Sequence, residues 1–419
     1  PPAEQTDEVN AQLKAITPES LNPEELTLID PASGSGHILV EAYDLFKVIY
    51  LERGYRQRDI AQLILEKNLF GLDIDQRAAQ LTGFALMMKG REDYRRLFER
   101  GVKLNVMAMA DSTNLDVDTL VHGIELSQFG SSAEDLTALK DLFEHATTFG
   151  SLIQVPQTLA EKLPALKQLG ETNSQDMFVK EVLEYLALLV QQAEILAAQY
   201  DAVVANPPFL DDKYFDKTLK NYVKTDYDVF DKNLYSAFIG RSVSLTKPGC
   251  YAALVTPLTW MFISSFSPCR EGILSQGSLS GSVKPSYTAF FEMATVQFVA
   301  TVIKKGVFDY KGKFFDLGYL GSSSDQPLRL ISKILSEEFS VCETNDFSSL
   351  PNSTIAFWIS DAMRKAFSDG MDLGDVAKPR QGMATADNDR FVRCWNEVSY
   401  GKIGLNIKSS GEAISSGKK

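Results

Sequence analysis

Apolar and polar positions follow two rhythms along the first 110 residues. A short apolar run, Thr27-Leu28-Ile29-Asp30, leads into the Gly-rich turn Ser33-Gly34-Ser35-Gly36. Apolar residues then recur at Ile38, Leu39, Ala42, Leu45, Phe46, Ile49 and Tyr50, the spacing of one helix face. The order repeats. A helix is predicted over Arg58–Lys67, a strand over Asn68–Leu72 that ends at Asp73, a helix over Gln76–Lys89, and a strand within Val102–Ala110 that ends at Asp111. Leu115–Gln199 differs: rich in Leu, Ala, Glu and Gln at helical spacing, it predicts a helical insertion. Strand signal returns at Tyr200–Ala205 and stops at Asn206-Pro207-Pro208-Phe209, since neither proline can donate to a ladder. A helix over Asn233–Thr246, a strand over Tyr251–Thr256, a helix near Phe262–Ser275 and a last clear strand over Thr295–Ile303 complete the pattern. Beyond Ser322 it becomes irregular and reads as a linker and a new domain.

Strands and helices in alternation predict an α/β fold with a mostly parallel sheet covered on both faces. Residues 1–114 and 200–321 would supply its two parts, 115–199 the insertion, and 322–419 the linker and following domain. The chain has 419 residues, 44% hydrophobic and 23% charged, a globular composition that excludes a disordered or fibrous class. It opens on Pro1 rather than Met, and Ser409–Lys419 is rich in Ser, Gly and Lys, so a piece of a longer protein is expected. The run Pro248–Cys269 carries no charge. It holds Pro248, Gly249 and Pro257 and many hydroxyl residues, so it reads as strand, turn and helix start rather than a membrane span.

Net charge is −13, unevenly divided: residues 1–200 hold 17 basic and 31 acidic side chains, residues 201–419 hold 25 and 24. The acidic half alone argues against a polyanionic partner. In the second half Lys213, Lys217, Lys220 and Lys224 are spaced 4, 3 and 4 apart, one face if the segment is helical. That face is either a solvated surface or a set of phosphate contacts. Four scattered cysteines (Cys250, Cys269, Cys342, Cys394) and three separated histidines give no zinc or disulfide pattern; no metal is expected, and a cytoplasmic location fits.

In open parallel sheets ligands bind beyond the carboxyl ends of the strands, and four polar motifs fall there. Asp30–Gly36 lets a ligand approach the backbone, because Gly34 and Gly36 lack side chains. It is neither a Walker A loop nor a GxGxxG turn. Asp73 either accepts from both ribose hydroxyls of a nucleotide or caps the following turn; Asp75 reads as a helix N-cap. Asp111 either accepts from an adenine amino group or is a turn residue. Asn206–Phe209 is the sharpest signal. The Asn206 side-chain oxygen and the Pro207 carbonyl can both accept from one exocyclic amine, Pro208 stiffens the turn, and Phe209 can stack on the attached ring. Two acceptors would draw the amine lone pair out of conjugation, toward an incoming methyl group.

At these residues the chain resembles amino-group methyltransferases that use S-adenosylmethionine. Asp30–Gly36 is similar to their cofactor loop, with Ser33 where Cys is common, and Asn206–Phe209 matches their [DNS]PP[YF] motif. Asp30–Leu45, Thr148–Ile153 and Asn206–Tyr235 resemble the PglX-like adenine-specific methyltransferases of BREX phage-resistance systems. Gly382–Phe391 resembles the element that opens a target-recognition domain, with Ala386 in place of Gly. The resemblance spans about residues 25–400. It implies a Rossmann-like methyltransferase fold, S-adenosylmethionine as cofactor, and N6-adenine methylation of a base flipped out of double-stranded DNA. Other defence-system proteins are implied partners. By the resemblance Asp30, Ala32, Ser33, Gly34 and Gly36 serve the cofactor, with Gly34 and Gly36 passing its methionine part, Asp73 holding the ribose and Asp111 the adenine. Asn206, Pro207, Pro208 and Phe209 serve the target base, and Lys213, Lys217, Lys220 and Lys224 the phosphates. Competing readings are glutamine methylation of a protein, a catalytically silent binding module, and the methyltransferase part of a nuclease fusion of type IIG.

Overall fold

The computed structural model of the chain describes residues 21–289, 297–306, 311–348, 350–371, 373–377, 394 and 397–400. β1 (Leu28–Asp30), α1 (His37–Glu52), α2 (Gln57–Leu63), β2 (Leu69–Asp73), α3 (Gln76–Asp93) and β3 (Asn105–Ala108) follow the predicted rhythm. All three residues of β1 are buried, as expected of a central strand covered on both faces. β4 (Tyr200–Ala205), α11 (Leu234–Leu245) and β5 (Thr246–Pro257) come after the insertion, whose helices α4 to α9 lie between Val117 and Ala197.

The sheet order is β3-β2-β1-β4-β5-β7-β6-β8-β9. The first five strands are mutually parallel. β7 (Phe298–Lys305) runs antiparallel to both β5 and β6 (Gly277–Lys284). β8 (Lys311–Asp316) is parallel to β6, and β9 (Ser340–Glu343) closes the edge antiparallel to β8. Side chains alternate across the sheet, as the two-residue strand period requires. Leu28, Leu69, Ala202 and Val204 face a layer made by α1, α2 and α3, with Tyr43, Phe46, Ile60 and Leu86 buried there. Ile29, Leu72, Val203 and Ala205 face the other layer, with Leu186, Leu189 and Ala193 of α9 (Met177–Ala197) and Phe238 and Val243 of α11. The predicted helical insertion is therefore also structural. A parallel β3-to-β4 connection needs a crossover, and α9 is that crossover.

Three strands escaped the sequence pattern. β6 (GSLSGSVK) is Ser- and Gly-rich, and β8 and β9 are short. The boundary expected at 321/322 is corrected. Cys342, Phe347, Ile355 and Phe357 belong to the main core beside Phe314. Buried Arg270 of α12 (Ser267–Gln276) donates from Nε and Nη2 to the Asn352 carbonyl at 3.0 and 2.8 Å. The compact unit runs to Arg364, and a second unit comprises Lys365–Lys419. In that second unit Leu373–Val376 is helical, and the element at Gly382–Phe391 lies outside the described residues. No helix among the described residues is long and apolar enough to cross a membrane.

Candidate cofactor and amine site

Strand order reverses between β1 and β4, and the loops after these two strands part there, leaving a crevice. A cavity of about 340 Å³ fills it. Pro31 and Ala32 line it from the loop after β1, Asp73 and Ile74 from the end of β2, and Asn206 and Pro208 from the end of β4. Thr148, Phe149, Gly150 and Ser151 of the insertion, with Leu234 and Phe238 of α11, complete the wall. Four of the sequence-predicted residues, Ala32, Asp73, Asn206 and Pro208, thus share one cavity.

The loop after β1 is fixed by its backbone. Asp30 Oδ1 accepts the Ala32 amide at 3.1 Å, and the Ser33 amide donates to the Leu72 carbonyl at 2.9 Å. Gly36, which starts α1, has φ of +81°, and a Cβ there would lie 2.8 Å from Thr82. Only glycine tolerates both the left-handed backbone and this approach of α1 to α3. Thr82 Oγ1 in turn donates to the Gly34 carbonyl at 2.9 Å. Ser33 is buried and its hydroxyl has no partner among the described residues; it holds the loop through its backbone.

Asp73 accepts the Gly34 amide on Oδ2 at 2.8 Å and the Asp75 amide on Oδ1 at 2.9 Å. It therefore caps its own turn and also pins the loop after β1, while its side chain still borders the cavity. Asp75 caps α3 as expected, accepting the Arg77 amide at 2.7 Å. Asp30 is 1% exposed. Its pKa is raised to about 7, chiefly because burial disfavours the carboxylate, with the negative charge of Asp73 adding to the shift. No cation among the described residues pairs with Asp30 or Asp73. Among the described residues the cavity lining holds Asp73 and no lysine or arginine, which suits S-adenosylmethionine: its sulfonium and ammonium are both cationic, and the cavity lies in the ordinary range for a small ligand.

Asn206 and Pro208 are exposed at the end of β4, and Pro207 is buried. Ala205, opposite Leu254, is the last ladder position before them. The Asn206 side chain makes no hydrogen bond among the described residues, so its oxygen is available. The Phe209 ring, 42% exposed, leans on Phe298 at 5.5 Å and meets the edge of Tyr235 at 6.0 Å. Phe209 itself does not line the cavity, although its neighbour Pro208 does.

Two expectations change. Asp111 does not line the cavity; its carboxylate accepts the Thr147 amide at 2.8 Å and the Thr147 hydroxyl at 2.9 and 3.0 Å. Of its two readings, the turn-anchoring one is what the geometry displays. Lys213 is not on the lysine helix: α10 (Lys217–Asp226) starts behind the Asp216 cap, and Lys213 sits in the preceding turn. Lys217, Lys220 and Lys224 do share a face, at i, i+3 and i+7. Lys220 faces Asp212 at 3.5 Å and Lys213 faces Asp211 at 3.7 Å. The sequence reading missed Ile74, Phe149, Gly150 and Phe238 as wall residues. The matched string Thr148–Ile153 was the one available signal, and nothing local gave it a place.

A second, open groove of about 470 Å³ is lined by Phe70, Lys103, Lys167 and Glu194. None of the sequence-predicted residues borders it. The chemistry gathers at the carboxyl ends of the strands.

Comparison with known proteins gives the family. The family described as Eco57I restriction-modification methylase matches residues 67–290, more than half of the chain. The chain is 40% identical over 424 residues to the adenine-specific methyltransferase BrxX of Escherichia coli O9:H4 (strain HS), covering 95% of this chain and 35% of that protein. It is 32% identical to the adenine-specific methyltransferase PglX of Lacticaseibacillus casei (strain Zhang), covering 91% of this chain and 32% of that protein. The chain thus spans about a third of the length of these curated relatives. Among solved structures, the type ISP restriction-modification enzyme LlaGI shares 12% identity at a TM-score of 0.49 over 84% of this chain and 26% of that one, a likeness too distant to bear on the chemistry. The match over more than half of the sequence makes this chain a member of the Eco57I restriction-modification methylase family.

Proposed function

We propose that the chain transfers a methyl group from S-adenosylmethionine to the N6 amino group of adenine in double-stranded DNA, as the methyltransferase part of a cytoplasmic BREX-type phage-defence protein that works with other defence proteins. The single observation that carries this is the meeting of Asn206 and Pro208 with Asp73 and the Asp30 loop around one cavity. Membership of the methylase family supports the reaction class, and the two relatives' adenine specificity supports the base.

The cofactor supplies an electrophilic methyl group. The remaining work falls to the chain. Asp73 on the cavity wall, with buried Asp30 at the base of the loop that lines it, would balance positive charge, and Asp73 would hold the ribose. Asn206 Oδ1 and the Pro207 carbonyl accept the two amine hydrogens, which turns the nitrogen lone pair out of conjugation with the purine and toward the cavity. Phe209 stacks on the purine, which reaches the strand ends only when flipped from the duplex. With the methyl group so supplied, Asn206 Oδ1 and the Pro207 carbonyl would hold the amine through the transfer and pass its surplus proton toward solvent. Lys217 and Lys224 meet phosphates flanking the flipped nucleotide.

Calorimetric titration of S-adenosylmethionine, paired with a methyl-transfer assay on adenine-containing duplexes, tests this. Asn206→Ala should keep cofactor affinity and lose turnover by about 100-fold or more, since misorienting a reacting group costs on that order. Asp73→Ala should lose cofactor binding. A cofactor affinity equally reduced in both variants, or methylation of cytosine instead of adenine, would overturn the assignment.

A further inference from the structure

One stretch of the cavity wall has no ladder of its own. Thr148–Ser151 belongs to the insertion, yet it lines the same cavity as Asn206. Its approach depends on Gly150, whose φ is +57° and whose hypothetical Cβ would lie 2.9 Å from Ile74. The carbonyls that follow would be orphaned in a buried place, which is costly. Each is claimed by a side chain from elsewhere in the fold. Arg241 of α11 is 4% exposed and no carboxylate among the described residues pairs with it. Its guanidinium donates instead from Nε to the Ser151 carbonyl at 2.8 Å and from Nη2 to the Ile153 carbonyl at 2.7 Å and the Leu196 carbonyl at 2.9 Å. The Leu152 carbonyl, between them, accepts the hydroxyls of Tyr222 at 3.0 Å and Tyr227 at 2.5 Å.

The segment is held at its other side too. Ser151 Oγ donates to the Pro31 carbonyl at 2.5 Å, tying the wall to the cofactor loop. Asp111 anchors Thr147 just upstream. Phe149 borders the cavity and stacks on Tyr222 of the lysine helix at 4.1 Å, with ring planes 13° apart. A buried arginine that gives three of its hydrogen bonds to main-chain carbonyls and one to the Ser244 hydroxyl at 3.3 Å, with two tyrosines on one carbonyl, is a large polar investment for a few residues of loop. Its product is a fixed position for Phe149 and Gly150.

We infer that Arg241, Tyr222 and Tyr227 are positioning residues that hold the Thr148–Ser151 wall in place, and that Phe149 on this wall packs against the aromatic part of the cofactor. This rests on the reading of the cavity as the cofactor site. Asp111 acts on the cofactor only through Thr147, as a further anchor of the same wall.

The test is a set of variants in this chain, read by S-adenosylmethionine titration and by separate KM values for cofactor and DNA. Tyr222→Phe/Tyr227→Phe removes both donors and keeps the stack on Phe149. It should raise the cofactor Kd and KM about tenfold, the effect of two lost hydrogen bonds, with kcat and the KM for DNA within about twofold. Phe149→Ala should weaken the cofactor at least as much. Tyr43→Phe is the control. It removes a buried hydroxyl bond to Asp93 on the opposite face of the sheet, and it should lower Tm without touching cofactor affinity. The inference is overturned if the double variant binds cofactor like the parent, or if Tyr43→Phe weakens binding equally. A parent chain that binds no cofactor overturns this inference together with the proposed function, whereas a parent that binds and variants that bind equally well overturn this inference alone.

Discussion

Asp30 shows how one residue's surroundings set its chemistry. Buried at the end of β1 with one amide on Oδ1 and Asp73 nearby, it holds its proton up to about pH 7. A carboxyl whose folded pKa is raised favours the folded state at low pH, and that contribution is lost as pH rises from about 4 through about 7. A cationic ligand reverses the preference, because it favours the carboxylate and drives the proton off. S-adenosylmethionine affinity should therefore fall by up to about tenfold for each pH unit below 7 and level off above it. Calorimetry in two buffers of different ionisation enthalpy would show near pH 6 a proton released on binding. Asp30→Asn should abolish both the slope and the release, and an unchanged slope in that variant would remove Asp30 from the site. Asp73 and Asp111 were each legible as an acid at a strand end with two open readings. What separated them was not local: Asp73 borders the cavity, whereas Asp111 meets Thr147, 36 residues along the chain.

The lysine helix is the element on which spacing and structure differ most instructively. Positions 213, 217, 220 and 224 fit one helical face, but Asp216 caps the helix at Lys217 by accepting the Leu219 amide at 2.8 Å. Lys213 falls in the turn before it. Leu219 and Val223 are buried beneath the helix and leave Lys217 and Lys224 exposed. No carboxylate among the described residues pairs with either, whereas Lys213 and Lys220 have aspartate neighbours. DNA affinity should accordingly depend on Lys217 and Lys224. Replacing both with Ala should weaken binding across sequences and reduce the log–log salt slope by about 2, measured by fluorescence anisotropy over a salt series. Lys213→Ala should change the slope by less than either single lysine replacement on the helix. Equal slopes for the double variant and the parent would return the helix face to plain solvation.

Across the whole molecule, the sheet extends well past the point where the sequence pattern fades. Phe347, Ile355 and Phe357 fill the core beside Phe314, and the Ile355 amide donates to the Met261 carbonyl at 2.8 Å. Burial of such side chains contributes about 1.5–3 kcal/mol each, so losing three of them consumes much of a net stability of about 5–15 kcal/mol. Ending the chain after residue 321 also strips β9 from β8. That shortened chain should fail to show a cooperative thermal transition, while one ending after residue 364 should unfold cooperatively. Calorimetric scans of the two decide between a boundary at 321 and one at 364.

The sequence by itself determined the first two β-α units, the strand before Asn206, the α/β class, and the two motifs on which the proposed chemistry rests. These are set by short-range physics. Hydrophobic period reports which face is buried, glycines permit the turn after β1, and two prolines end a ladder wherever they occur. The tertiary structure decided the rest. β6, with its Ser and Gly residues, is a strand because β7 and β8 supply hydrogen-bond partners on either side. The insertion is a wall of the cavity because Arg241, Tyr222 and Tyr227 satisfy carbonyls some 70 to 90 residues away. Asp111 is an anchor because Thr147 folds back onto it. Each of these outcomes depends on partners distant in the chain, and periodicity within a window of 10 or 20 residues carries no record of them.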